Sequence, residues 1–163
     1  ADVSIGAVSI VRHGRFNIDA WASDAALLNV GMKTGSKYVY NVLGIGVKPA
    51  GTSSRLYGMY GLGGHIPRNR FFVDIDAVAA AVNDGSDLFS FTGTSLLSQL
   101  RVTGGWQVLP QLAVTFGPAL SVFVSDREDG SLVPLYDAFI YHARSGRTHV
   151  RIWPGFTVGL QLL

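Results

Sequence analysis

The sequence predicts an all-β chain, an antiparallel up-and-down transmembrane β-barrel of about eight strands, and three observations carry that prediction. The first is Leu112–Ser125, reading L-A-V-T-F-G-P-A-L-S-V-F-V-S. Successive strand residues point to opposite faces. Leu112, Val114, Phe116, Pro118, Leu120, Val122 and Val124 therefore share one face, against Ala113, Thr115, Gly117, Ala119, Ser121, Phe123 and Ser125. One face is bulky and apolar. The other is compact and uncharged, where a soluble strand would carry Lys, Glu or Arg. The second observation is that residues 150–163 obey the same rule, with Val150, Ile152, Pro154, Phe156, Val158, Leu160 and Leu162 on one side. The third is bulk composition. Charged residues are only 15%, against roughly 25% in soluble proteins, and mean hydropathy is +0.29. Yet no run reaches the roughly 18 apolar residues of a membrane-spanning helix. Apolar residues that are abundant but interleaved are the pattern of a barrel wall.

In chain order, residues 2–12 alternate Val3, Ile5, Ala7, Ser9 and Val11 against Ser4, Gly6, Val8 and Ile10, a softer pattern than in later strands, and form the first expected strand. Residues 13–23 are polar and turn-rich, an expected loop. Residues 24–33 place Ala26, Leu28, Val30 and Met32 on one face, and Thr34-Gly35-Ser36 signals a turn. Residues 37–48 set Val39, Leu43, Ile45 and Val47 opposite Tyr38, Tyr40, Gly44 and Gly46, before Pro49-Ala50-Gly51-Thr52 breaks the strand. Residues 56–66 are glycine-laced, Pro67-Arg68-Asn69 turns, and 70–82 return with Phe71, Val73, Ile75, Ala77, Ala79 and Ala81 aligned. Residues 83–95 form a loop rich in Asp, Gly, Ser and Thr. Residues 96–109 direct Leu100, Val102, Trp106 and Val108 outward, and Pro110-Gln111 turns into Leu112–Ser125. Residues 126–149 are the longest connection, within which 135–142 reads as a strand extension or a small hairpin. Tight and longer connections alternate, as when turns face a periplasm and loops face outside.

At 163 residues the chain reads as one domain, 1–163. Absence of cysteine excludes a disulfide framework and a thiolate site. A net charge of +2 with dispersed bases argues against a nucleic-acid partner. No signal peptide is visible, so Ala1-Asp2 reads as a terminus left by cleavage or as a boundary within a longer chain.

Few charged residues fall mid-strand in this register: Asp74, Asp76, Arg101 and Arg151, all on the compact face. A base facing lipid at the midplane costs about 2–4 kcal/mol, so these four are expected inside, as a lumen ion network. Asp74 and Asp76 are expected to meet Arg101 diagonally across one ladder. A structural role is the simplest for them, and an ion-conducting path is the sharper alternative. The expected lipid-facing set is Leu112, Val114, Phe116, Leu120, Val122, Val124, Ile152, Phe156, Val158 and Leu160. Outward members of Tyr38, Tyr40, Tyr57, Tyr60, Phe71, Phe72 and Trp106 are expected to form interfacial girdles. Phe123 and Trp153 are expected to plug the lumen, and His65 to sit at a turn as a capping or interfacial residue.

On these alternations, turns and inward charges, the whole chain resembles the small eight-stranded bacterial outer-membrane barrels, the OmpA-transmembrane-domain and OmpX type. The resemblance rests on pattern, not on a signature motif. It implies an outer-membrane location and a side-chain-filled interior with no wide pore. The last strand of such proteins usually ends in an aromatic residue, and this chain ends G-L-Q-L-L with Leu163 in that place.

Some barrels of this size modify lipid A, and hydrolytic chemistry of that kind needs a Ser-His-acid set within hydrogen-bond reach. His142, His149, Ser145 and Asp137 share one long connection. Ser145 follows His142 by three residues rather than two, however, and loop residues of this kind are ordinarily solvated, so no catalytic residue is assigned. No His/Asp/Glu spacing forms a metal shell, and G-L-G-G at 61–64 lies in a strand pattern, not before a helix. No cofactor is implied. The expected function is a structural or binding module whose loops 13–23, 83–95 and 126–149 meet membrane lipid, lipopolysaccharide, or an envelope or host partner protein. Arg127, Arg144, Arg147 and His149 suit lipid phosphates, although Asp126, Glu128, Asp129 and Asp137 nearly cancel them. The alternatives are a small transporter of apolar or small solutes, a lipid A-modifying enzyme, and a soluble lipocalin-type barrel with its bulky face inward.

Overall fold

The computed structural model describes residues 16–25, 28–50, 53–83, 94–125, 140–145 and 148–163. These form one antiparallel sheet: β1 (Phe16–Ser23), β2 (Leu28–Gly35), β3 (Val39–Ala50), β4 (Ser53–Arg68), β5 (Phe71–Asn83), β6 (Thr94–Leu109), β7 (Leu112–Ser125), β8 (Tyr141–Ser145) and β9 (Thr148–Leu162). Hydrogen bonding passes from β1 through β7 in sequence order, then to β9, and returns from β9 to β1. Eight strands thus close an up-and-down barrel, which leaves the wall without open edges where the ladder is continuous. β8 pairs with β9 over 148–152, while β1 pairs with β9 over 157–162, so β8 extends the wall beyond the end of β1.

The alternation read in the sequence is the alternation of burial. From Phe71 to Ala81, β5 goes exposed and buried in strict turn. Large apolar side chains point out: Leu62 is 55% exposed, Leu100 49%, Phe116 60% and Leu160 50%. Tight connections at 36–38, 69–70 and 110–111 share one rim, and Ile18 opposite Leu162 brings the start of β1 and the end of β9 to that same rim. Asn69 takes a φ of 58° in the 69–70 turn, a left-handed conformation that Asn tolerates better than most residues.

Several boundaries differ from expectation. Residues 16–23 are strand, not loop: Phe16, Ile18, Ala20 and Ala22 face out, and Asn17, Asp19, Trp21 and Ser23 face in. The polar inward residues give this stretch the composition of a turn. The expected strand at 2–12 lies outside the described residues. β2 starts at Leu28, with Asp24 and Ala25 in a bend. The break at 49–52 is also narrower, since Pro49 stands opposite Ser54 and Ala50 opposite Ser53. Pro49 stands near the end of β3, a position that proline tolerates better than the middle of a sheet. Residues 141–145 form a hairpin with β9, and 135–139 lie outside the described residues.

An eight-stranded barrel has an interior about wide enough for side chains to fill, and this one is filled in tiers. Toward the tight-turn rim sit Gln107, bonded to the Pro110 carbonyl, and Phe72, 3% exposed. A charged tier follows, and beyond it lies a layer including Trp21, Met59, Val78, Leu97, Phe123 and Trp153. Asp24 accepts a 2.6 Å hydrogen bond from Trp153 Nε1, and Tyr57 donates to Asn29 at 2.7 Å. Phe123 and Trp153 are lumen residues as expected, whereas Tyr40, Tyr57 and Phe72 also point in and take no part in a girdle. Gly105 stands beside the Phe72 ring on the inner wall, where a Cβ would collide with ring atoms. Gly105→Ala is therefore expected to destabilise the barrel by about 1–3 kcal/mol. Adding Phe72→Leu should restore much of that loss, as read from urea unfolding in lipid vesicles.

Candidate functional site: a buried ion network

The charged tier draws one or two side chains from each of six consecutive strands: Asp19 from β1, Lys33 from β2, Tyr40 from β3, His65 from β4, Asp74 and Asp76 from β5, and Arg101 from β6. Each occupies an inward position of its strand. Asp74 is 0% exposed, Asp76 1%, Arg101 3% and Lys33 5%.

Two carboxylates on β5 organise the tier. Asp74 accepts from Lys33 Nζ at 2.6 Å through Oδ2, and its Oδ1 lies 2.6 Å from His65 Nδ1. Asp76 accepts from Arg101 Nη2 at 2.9 Å and from the Tyr40 hydroxyl at 2.6 Å. Lys33 ties the two sides together. Its ammonium lies 2.9 Å from Asp19 and 3.8 Å from Asp76, as well as over the Tyr40 ring at 4.9 Å. The Arg101 guanidinium lies 4.4 Å from the centre of the Trp21 ring. Such cation–π contacts strengthen when desolvated, and charge-assisted hydrogen bonds are about twice as strong as neutral ones. The carboxylates Asp19, Asp74 and Asp76 face the bases Lys33 and Arg101, with the His65 ring beside Asp74.

Chemically, each carboxylate of the tier has a cation beside it, and each cation a carboxylate. Phe72 lies on one side, its ring 5.1 Å from that of His65, and the apolar tier lies on the other. Among the described residues no group of three His, Cys, Asp or Glu is placed to hold a metal. The arrangement locks strands together rather than presenting a reactive group to solvent.

Of the expected network, Asp74, Asp76 and Arg101 are brought together and Arg151 is not. Asp76 needs no diagonal reach, because it stands directly opposite Arg101 in register. Arg151 is half-buried on β9, opposite Phe123 and His142, nearer the loop rim than the Gly155 that aligns through Ala119 with Arg101. His65 is neither a cap nor an interfacial residue: it is 3% exposed and bonded to Asp74, because it shares the inward face of β4 with Gly61 and Gly63. Asp19, Lys33, Tyr40 and His65 join the network without having been expected in it. Lys33 shares its face with Asn29 and Gly31, a signal of its direction, whereas Asp19 is hidden in the stretch that reads as a loop.

Of the expected outward set, Phe116, Leu120, Phe156, Val158 and Leu160 are exposed, while Leu112, Val114, Val122, Val124 and Ile152 are half-buried on the same face. The Ser-His-acid gathering is not assembled among the described residues: Ser145 is exposed, His149 is buried opposite Arg144, and Asp137 lies outside them. Comparison of the chain with protein-family models, with curated proteins and with solved structures gave no match.

Breaking a buried pair from one side costs about 3–5 kcal/mol, more than replacing both partners. Arg101→Met alone should therefore destabilise the barrel more than Arg101→Met combined with Asp76→Asn, which keeps an acceptor for Tyr40. Equal or milder damage from the single change, in unfolding titrations in detergent, would count against the pairing.

Proposed function

We propose that the chain is an integral membrane β-barrel of the bacterial outer-membrane kind, acting as a structural or binding module through its loop rim. One observation carries the reading: the distribution of charge is inverted relative to a soluble protein. The charged tier is inside, and the outward face between the rims is apolar or uncharged among the described residues, with Leu43, Ile45, Leu62, Ile75, Leu100 and Phe116 exposed on it. Soluble monomers seldom expose a contiguous apolar patch beyond a few hundred Å². Asn41, one of the few polar side chains on that face, accepts a 3.0 Å hydrogen bond from Tyr60. A lumen closed by Phe72, the ion tier and the apolar tier favours an anchor over a channel.

The tryptophans allow a direct test. Trp106 is 51% exposed on the outer wall, whereas Trp21 and Trp153 are buried inside. In vesicles of lipid brominated near the headgroup end of the acyl chains, wild-type fluorescence should be quenched, and quenching should largely vanish in Trp106→Phe. The folded protein should also require detergent for extraction and shift on a gel after boiling. Monodisperse protein in plain buffer, or quenching unaffected by Trp106→Phe, would refute the reading.

A further inference from the structure

The geometry points to the tight-turn rim as a binding surface for anionic phospholipid headgroups, an inference that rests on the membrane reading above. Along β5 and β6 the outward residues change in order toward this rim. Apolar Ile75 and Val73 come first, then Phe71 stacked on Trp106 with ring centroids 6.3 Å apart. Beyond them lie Arg68, opposite Phe71 in register, and Arg70 in the turn. The neighbouring 36–38 turn repeats the order, with the Lys37 ammonium 5.4 Å from the Tyr38 ring centre. Apolar wall, aromatic collar and outer cations are the sequence of layers that a bilayer interface presents.

Among the described residues, the exposed charged side chains of this rim also have one sign. Lys37, Arg68 and Arg70 are exposed, whereas the side-chain carboxylates among the described residues, Asp19, Asp24, Asp74 and Asp76, are all buried in the lumen. Those carboxylates are engaged by Lys33, Arg101 and the Trp153 indole, so no exposed side-chain carboxylate among the described residues offsets the three rim cations. Charge complementarity therefore selects the phosphate of an anionic lipid, with Phe71 and Trp106 seated at its glycerol level.

Native mass spectrometry of the detergent-solubilised protein, titrated with phosphatidylglycerol or phosphatidylcholine of matched acyl chains, tests this. The wild type is expected to retain phosphatidylglycerol preferentially. The Lys37→Gln, Arg68→Gln, Arg70→Gln triple variant should lose about tenfold or more of that preference, and raising salt from tens to hundreds of millimolar should weaken it in the wild type. Arg144→Gln, on the opposite rim, should leave it unchanged. Equal retention of both lipids by the wild type, an unchanged preference in the triple variant, or a loss caused by Arg144→Gln would overturn the inference. A heat-modifiable band in phosphatidylcholine vesicles separates that failure from failure of the membrane reading itself.

Discussion

A sheet closed on itself at eight strands leaves an interior that only side chains can occupy, and that confinement governs the rest of this molecule. An inward charge needs a counter-charge or a strong hydrogen-bond donor within a few ångströms, because burying an unpaired ion is prohibitive. Asp74 and Asp76, two residues apart on β5, meet the requirement by drawing Lys33, His65 and Arg101 from three other strands. The network therefore depends on closure, which gathers residues as distant in sequence as Asp19 and Asp76 around one lysine.

Confinement also sets the sizes of inward residues. Where a large side chain enters the lumen, the wall beside it is cut back to glycine: Gly105 next to Phe72, and Gly63 against Tyr40 and Asp76. The high glycine count of 20 is in part the complement of the bulky and charged groups inside. A lumen packed in this way leaves no wide passage along the barrel axis.

The two rims differ in kind. One carries only connections of two or three residues, with exposed cations beside aromatic side chains; the other carries β8 and the long connections as well as the shorter ones at 24–27 and 51–52. This polarity arises from simple up-and-down winding, in which alternate connections fall on alternate ends. A barrel built this way has a direction, with ends of different composition.

Much of this was legible in the chain itself. Period-2 alternation in Leu112–Ser125 and in 150–163 determined strand, face and orientation together, because a strand has only two faces and one of them was too bulky for a narrow interior. Asp74, Asp76 and Arg101 could be placed inside by parity alone. The tertiary structure decided what parity cannot express. Asp19 lies in a stretch whose inward polar residues imitate a turn, so its strand became legible only through pairing with β2 and β9. His65 and Lys33 joined the network, and Arg151 did not, because alternation tells which way a side chain points but not its height along the barrel. Height is set by the register between strands, and register emerges only when the ring closes.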